Sequence, residues 1–295
     1  MDPAEWPVGQ AVAFFGYGVS FREMTVLPVA SLLKVPTATP EWTALPVSAL
    51  TASGGLEVVG KIQNFAPPNA PASVLVTGAA GGTGHIAVQW AKAMYGARVA
   101  GTCGTAAKAD MLTSLGVDVV VNYRTSRDVE EELRAAFPGG FDIVYDGVGG
   151  RIGDVARRLL SPTGVFVGIG SVSQDYSGTK GPDTDNAIGA GSTTGLKEGQ
   201  SETFFFMPAG PQMVGQAAWD DIIARTIDAM ATGKVRAVLD EECGEYVGVD
   251  GVYQAQERMR KGLNVGKIYA SFSEKAGATG GQCETKAGVA VEAKE

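Results

Sequence analysis

An α/β fold built on a doubly wound parallel sheet is predicted by three observations on this chain of 295 residues. The run 74–77 is short, apolar and unalternating, which is typical of a strand buried on both faces. A glycine-rich turn follows it directly, and a helical pattern follows the turn. Strand-like and helix-like segments then alternate with short connections as far as Ile169. This alternation is the pattern of a parallel sheet with helices on both faces.

The elements of this sheet are expected in a regular order. The helix after the glycine turn carries Ile86, Trp90 and Met94 at helical spacing, and Gly96 stands where its C-cap belongs. The later strands are predicted over residues 98–102, 117–121, 141–145 and 165–169. The later helices are predicted over residues 106–115, 128–137 and 151–160.

Both ends of the chain are expected to contribute to a second, β-rich domain. Strands are predicted over 10–15, 21–27 and 31–35, and a helix over 250–261 precedes a strand over 263–272. The predicted division assigns 1–45 and 241–272 to a substrate domain and 46–240 to a nucleotide domain, with substrate in the cleft between them. Residues 273–295 are small, polar and without period, which is typical of a disordered tail.

Composition excludes several classes of partner. The net charge of −8 provides no basic field for nucleic acid. No stretch approaches ~18 continuous apolar residues, and the amino end lacks the charged start and apolar centre of a signal peptide. We therefore expect a soluble, cytoplasmic protein that binds neither nucleic acid nor membrane, with the peroxisome and the mitochondrion left open as locations.

Cysteine and histidine usage predicts that the chain has no metal site. Cys103, Cys243 and Cys283 show no paired spacing, and His85 is the single histidine. A histidine-dependent relay would have to use His85, which is instead expected to be an ordinary residue on the surface of the helix after the glycine turn.

The glycine turn itself predicts a dinucleotide site. The start of a helix offers unpaired N–H groups and the positive end of the helix dipole. Gly81, Gly82 and Gly84 would let a pyrophosphate approach the backbone closely.

The end of the second strand favours NADP over NAD. An NAD site usually places a carboxylate there to hold the ribose diol, and residues 101–108 contain none. Lys108 lies one turn into the next helix, within reach of a 2′-phosphate, and Thr105 is placed to donate a hydroxyl.

Several separate motifs resemble one known family. GAAGGTGHIAVQWAK, GTCGTAAKADMLTSLGVDVVVNYRT, FDIVYDGVGG, GVFVGIGS and RKGLNVGKI together resemble the zinc-independent quinone oxidoreductase branch of the medium-chain dehydrogenase/reductases. The likeness runs from Val8 to Phe272. It implies a Rossmann nucleotide domain and a GroES-like, β-rich lobe built from both chain ends. It also implies a homodimer in which the strand near Phe204 extends the sheet across a two-fold axis.

The resemblance also implies which positions contact NADPH. Gly81, Gly82, Thr83 and Gly84 would hold the pyrophosphate, and Gly104, Thr105, Lys108 and Tyr123 would surround the adenosine phosphate. Gly104 and Gly147 stand where relatives have serine. Ile169 would lie along the nicotinamide ribose, Phe205, Phe206 and Met207 would line the nicotinamide pocket, and Asn264 would bond the cofactor.

The chemistry implied is conjugate reduction by NADPH of an enone, such as a 15-keto-prostaglandin-like ketone, or of a quinone. A donor near the carbonyl oxygen would stabilise the enolate, but no catalytic residue is assigned. The long loop 171–201, with Ser173 and Tyr176, occupies the position of a lid, although its glycine and serine content also fits simple flexibility.

Departures from the family leave a second interpretation open. Members carry a further part of the substrate lobe ahead of the point where this chain starts, and Ser53 replaces an expected tyrosine. The lobe is therefore expected to be incomplete, so the alternative function is a non-catalytic NADPH-binding module. A short-chain dehydrogenase is a minor alternative, because Tyr176 and Lys180 have the spacing of its catalytic pair. Gly178 interrupts the helix that such a pair needs.

Overall fold

The structure is a computed structural model that describes residues 4–16, 18, 22–65, 71–171, 195–241 and 244–272. At the amino end, β1 (Val12–Phe14) and β2 (Leu32–Lys34) form an antiparallel pair, which confirms two of the three strands predicted there. The third, predicted over 21–27, is wrong, because residues 22–27 have no regular structure. Met24 and Val26 are 87% and 96% exposed, so no neighbouring strand or core covers their apolar side chains.

Residues 45–59 form one continuous helix that was not predicted. It is π-helical over Leu45–Ala49 and Gly55–Val59, and α-helical over Leu50–Gly54 (α1). Its buried Glu57 accepts a hydrogen bond of 2.9 Å from the Trp90 indole and two, of 2.9 and 2.6 Å, from the Arg225 guanidinium. A buried carboxylate needs such partners, since removing one of them leaves an uncompensated charge. The hydrogen bonds of Glu57 therefore hold this helix against the helices that carry Trp90 and Arg225.

Six parallel strands form one sheet within the described residues. They are β3 (Ser73–Val76), β4 (Arg98–Cys103), β5 (Val119–Asn122), β6 (Phe141–Asp146), β7 (Leu160–Gly168) and β8 (Ser201–Phe204). Their order across the sheet is β5-β4-β3-β6-β7-β8. The doubly wound prediction is confirmed, and we call this the main sheet. Strand β3 lies at its centre, where the order of the strands reverses.

Helices cover both faces of the main sheet. The helices between its strands are α2 (Gly84–Tyr95), α3 (Ala106–Ser114), α4 (Val129–Ala136) and α5 (Gly150–Arg158). Val74 and Val76 belong to one apolar cluster with Trp90 of α2, whereas Leu75 belongs to a second cluster with Leu133 of α4. Neighbouring residues of a strand point to opposite faces, so both faces of β3 are buried.

The carboxyl-terminal part returns to the glycine turn rather than forming a long strand. It contains α6 (Gly210–Val214), α7 (Gln216–Ala231), β9 (Tyr246–Val247), α8 (Gly248–Arg260) and β10 (Ala270–Ser271). The strand predicted over 263–272 is reduced to β10, which pairs with β9. The preceding residues instead bond to Ala80 and Val238, because these distant segments offer backbone partners that local sequence does not reveal.

The largest difference from the predicted element boundaries in the main sheet lies between α5 and β7. The predicted helix over 151–160 ends at Arg158, and β7 begins at Leu160 instead of residue 165. None of the described helices has the length and apolar character needed to cross a lipid bilayer. The tail 273–295, the thiols of Cys243 and Cys283, and Ser173, Tyr176 and Lys180 lie outside the described residues.

Candidate functional site

The predicted contact positions gather along one edge of the main sheet. Each strand is followed directly by at least one of them, namely the glycine turn after β3, Gly104 after β4, Tyr123 after β5, Gly147 after β6, Ile169 after β7 and Phe205 after β8. All six strands are parallel, so these positions lie at the same carboxyl edge. This edge, near the reversal of strand order, is where open α/β sheets bind ligands.

The glycine turn is compact because the main chain of residues 81–84 packs directly on the main chain of residues 78–79. The Gly81 N–H donates to the Gly78 carbonyl at 2.9 Å. A Cβ built on Gly84 would lie 2.5 Å from that same carbonyl oxygen and 2.8 Å from the Ala79 Cα. Only glycine fits at this position without moving the main chain.

The same turn presents unpaired donors at the start of α2. In the described part of the chain, the N–H groups of Gly82, Thr83 and Gly84 have no acceptor, and Thr83 provides no side-chain cap. Such donors, together with the positive end of the helix dipole, bind anions. A close backbone with three unpaired donors fits a diphosphate group, and thus a dinucleotide.

His85 is fully buried, so the prediction that it lies on the helix surface is wrong. Its Nδ1 donates to the Gly81 carbonyl at 2.8 Å, and its Nε2 accepts a hydrogen bond of 3.0 Å from the Val238 N–H. The pKa of His85 is lowered from 6.5 to about 4, because burial lowers it more than the hydrogen bond to Gly81 raises it, and nearby Lys267 contributes to the lowering. The neutral ring therefore connects the glycine turn to residues 238–240, a link that no local pattern indicates.

The returning chain is bonded to the other side of the turn. The Gly266 N–H donates to the Ala80 carbonyl at 2.8 Å, and the Lys267 N–H donates to the Val238 carbonyl at 2.7 Å. The predicted contact residue Asn264 donates from Nδ2 to the Gly266 carbonyl at 3.1 Å. Asn264 thus stabilises the turn that brings this segment to the glycine loop, and its bond to a cofactor stays a prediction.

The four residues predicted around the adenosine phosphate lie together. Thr105 is the N-cap of α3, and its hydroxyl accepts a hydrogen bond of 3.3 Å from the Lys108 N–H. The Lys108 ammonium donates to the Gly262 carbonyl at 2.7 Å. The Tyr123 hydroxyl lies over Gly104, 2.5 Å from where a Cβ would stand. Gly104 therefore leaves room for the tyrosine.

The charge at this end is positive. Burial lowers the pKa of Lys108, and repulsion from Arg124 lowers it further. Among the described side chains, neither cation forms an ion pair with a carboxylate. Two unpaired cations side by side favour a phosphate ligand.

The residues predicted around the nicotinamide are only partly brought together by the fold. A Cβ built on Gly147 would lie 3.4 Å from Ile169 Cδ1, so these two residues are adjacent. Phe205 is 1% exposed and its ring lies 6.2 Å from that of Trp219, which places it in the core. Phe206 is 39% exposed, and half-buried Met207 begins the turn Met207–Ala209. Phe206 and Met207 therefore present more surface than Phe205.

Asp146 is a positioning residue that sequence reasoning missed. It is buried at the end of β6, accepts hydrogen bonds from the Thr77 hydroxyl and from the N–H groups of Val148 (3.2 Å) and Gly149 (3.0 Å), and joins the turns after β3 and β6. Burial raises its pKa, while these hydrogen bonds lower it in part. An acidic residue directly after the apolar run 143–145 was the available indication.

Comparison with known proteins finds oxidoreductases. A model of the zinc-binding dehydrogenase family matches residues 82–196. A probable quinone oxidoreductase of Leishmania amazonensis is 34% identical over 261 residues, covering 88% of this chain and 72% of the relative. Mouse prostaglandin reductase-3 is 36% identical over 271 residues, covering 90% and 67%.

Solved structures share the fold. Mycobacterial Rv1454c complexed with NADPH superposes with a TM-score of 0.64 at 25% identity, over 82% of this chain and 68% of that one. CurA of Vibrio vulnificus in complex with NADPH superposes with a TM-score of 0.64 at 20% identity, over 82% of this chain and 69% of CurA. No group of three or more potential metal ligands occurs among the residues that the structure describes, and zinc independence stays a prediction. The short-chain dehydrogenase alternative is left without support. The chain belongs to the medium-chain dehydrogenase/reductase superfamily of oxidoreductases, as a homologue of its quinone oxidoreductases and prostaglandin reductases.

Proposed function

We propose that this chain is an NADPH-dependent, zinc-independent reductase that transfers hydride to the double bond of α,β-unsaturated ketones or to quinones. The observation that carries the proposal is the pair of cations Lys108, in α3 after β4, and Arg124, after β5, next to a segment, residues 101–108, that contains no carboxylate. A 2′-phosphate needs such a site, and a carboxylate would repel it. The relatives named above support the reaction class, and enones resembling 15-keto prostaglandins are the first substrates to test.

The residues at the carboxyl edge fall into three groups, each of which would contact a different part of the cofactor. The N–H groups of Gly82, Thr83 and Gly84 would hold the pyrophosphate, and Gly81 shapes the turn. Lys108, with Tyr123 and Thr105, would hold the 2′-phosphate beside Gly104. Ile169, with Gly147, and Phe206, with Met207, would border the nicotinamide, while Asn264 closes the site from the returning chain.

When bound, the dihydronicotinamide supplies the hydride. The chain's contribution there is alignment and exclusion of water, since Ile169, Phe206 and Met207 are apolar. His85 does not act as the proton donor, because both of its ring nitrogens are engaged and burial lowers its pKa to about 4. No proton donor is assigned.

We also propose a homodimer formed through the edge of the main sheet. Within the described residues, strand β8 is the last strand in the sheet order and pairs on one side only, with β7, so its other side could pair with a second copy. Light scattering of the purified chain tests this proposal: a dimeric mass supports it, and a strictly monomeric mass contradicts it.

The first experiment measures NADPH oxidation by absorbance with a 15-keto prostaglandin, a medium-chain enone and a quinone, alongside NADPH binding by fluorescence. Turnover with any of the three supports the reductase. Tight binding of NADPH without turnover favours the non-catalytic NADPH-binding module. Equal affinity for NADPH and NADH would contradict the assignment of the 2′-phosphate to Lys108.

A further inference from the structure

Ser48 is a buried side chain without a partner beside the glycine turn. It is 3% exposed, and its hydroxyl lies 3.6 Å from the position that a Cβ on Gly82 would take. In the part of the chain that the structure describes, this hydroxyl makes no hydrogen bond. Among the described residues, the fully enclosed hydroxyls without a partner are those of Tyr145 and Ser271, so the Ser48 hydroxyl keeps some access from outside. An accessible, unbonded hydroxyl beside the unpaired N–H groups of the turn is available to a ligand at Gly82.

Lys267 reaches the same point from the other end of the chain. Its Cδ lies 3.5 Å from the same Cβ position on Gly82. Its backbone is fixed on both sides, by the bond to Val238 and by a hydrogen bond of 2.9 Å from the Asp240 N–H to its carbonyl. Among the described residues its ammonium has neither a hydrogen-bond acceptor nor a carboxylate partner, and burial lowers its pKa. A cation held in this way attracts an anion.

We propose that Ser48 and Lys267 form a side-chain arm of the pyrophosphate site and bind a phosphate oxygen above Gly82. The proposal rests on the proposed function, because it names further ligands of the same cofactor. The unpaired backbone donors of the turn would bind one part of the ligand, and the Ser48 hydroxyl and the Lys267 ammonium would add contacts from two distant segments of the chain. Gly82 has no side chain, so nothing of its own stands between these groups.

The position of the glycine turn within the main sheet favours a diphosphate over a single phosphate as the ligand of Ser48 and Lys267. Strand β3 lies between β4, which leads to Lys108, and β6, which leads to Gly147. A dinucleotide that spans these two ends places its central pyrophosphate at the turn after β3. The arm formed by Ser48 and Lys267 thus acts on the middle of the ligand, and Lys108 acts on its adenosine end.

Calorimetric titration with two unreactive ligands tests the proposal. One is 2′-phospho-ADP-ribose, which has the pyrophosphate, and the other is 2′-AMP, which lacks it. We expect Lys267→Gln to weaken the first about tenfold to a hundredfold and to leave the second within about twofold. Ser48→Ala is expected to weaken the first about threefold to tenfold. Lys267→Arg is expected to retain affinity within about threefold.

The control is Lys234→Gln, which removes the same charge at an exposed lysine. It is expected to change neither affinity, and thermal unfolding checks that every variant is folded. Should Lys267→Gln be unfolded, Ser48→Ala decides the outcome, because it keeps the Cβ and removes only the hydroxyl. Unchanged affinity of a folded Lys267→Gln for 2′-phospho-ADP-ribose, or an equal loss for 2′-AMP, overturns the proposal.

Failure of the proposed function is distinguishable from failure of this proposal. If the wild type binds 2′-phospho-ADP-ribose with the expected variant effects but reduces no enone or quinone, the arm stands and the reductase does not. If the wild type turns over and the variants bind as it does, the reductase stands and the arm does not. Binding of neither ligand by the wild type overturns both.

Discussion

Two glycines at the edge of the main sheet differ in what surrounds them. A Cβ on Gly84, after β3, would meet the carbonyl oxygen of Gly78 at 2.5 Å, whereas a Cβ on Gly104, after β4, would meet the Tyr123 hydroxyl at the same distance. The first neighbour is backbone and does not yield. The second is the tip of a side chain that is 42% exposed and can rotate away. One end of the site is therefore fixed by the main chain, and the other by movable side chains.

The same contrast applies to the charged and polar side chains. His85 is fully buried and bonded on both ring nitrogens, to Gly81 and to Val238. Lys108 is half-buried and its ammonium is held by one carbonyl, that of Gly262. We infer that the pyrophosphate end is organised before the ligand binds, whereas the adenosine end acts mainly through charge.

The largest effect is expected from Gly84→Ala. The added methyl group cannot fit without moving the turn, so we expect a loss of several kcal/mol in the free energy of unfolding and more than about a hundredfold in NADPH affinity. Chemical denaturation and fluorescence titration measure the two. Gly139→Ala is the control, since nothing lies within 4 Å of its Cβ position. Tight NADPH binding by Gly84→Ala would show that the turn is not rigid.

His85→Leu is expected to have the next largest effect. It removes the acceptor of the Val238 N–H and one of the two donors to the Gly81 carbonyl, which keeps the bond from the residue 85 N–H. We expect a cost of about 2–4 kcal/mol in the free energy of unfolding near neutral pH. Urea denaturation measures the difference from the wild type.

The cost of His85→Leu should also depend on pH. The imidazole has a pKa of 6.5 when unfolded and about 4 when folded, so protons bind the unfolded state first. As pH falls from about 6.5 to about 4, the free energy of unfolding of the wild type falls by about 3 kcal/mol. The variant has no imidazole at this position and does not show this loss. The stability gap between them is therefore expected to close over this range. A gap that is independent of pH would contradict the buried neutral ring.

Lys108→Glu tests the exposed end. Reversing the charge is expected to weaken NADPH about a hundredfold and NADH no more than about threefold, because only NADPH carries the 2′-phosphate. Fluorescence titration with both cofactors measures this, and Lys234→Glu is the control at an exposed lysine. Equal losses of affinity for NADPH and NADH would contradict the assignment of Lys108 to the 2′-phosphate.

The smallest effect is expected from Gly104→Ser. Tyr123 can move aside, so NADPH affinity should stay within about threefold and the free energy of unfolding within about 1 kcal/mol. The same titration and denaturation experiments apply. A tenfold loss of affinity would mean that Tyr123 is held as firmly as the Gly78 carbonyl.

Most of the main sheet was predictable because its information is local. The strand at 74–77 is a short apolar run, and Gly96, at φ 60°, closes α2 as a C-cap should. Parallel strands then place whatever follows them on one edge, so Gly104, Tyr123 and Ile169 are brought to that edge by order alone. The strand predicted at 21–27 failed because an apolar pattern forms a strand only when another element covers it.

By itself, the sequence determined the doubly wound sheet, the glycine turn and the lack of a carboxylate over residues 101–108, since each depends on neighbours along the chain. Only the tertiary structure decided that His85 is buried, that Asp146 joins two turns, and that Ser48 and Lys267 both lie beside Gly82. These contacts join residues far apart in sequence, and whether a polar side chain is solvated or buried depends on what packs against it. No local pattern carries that information.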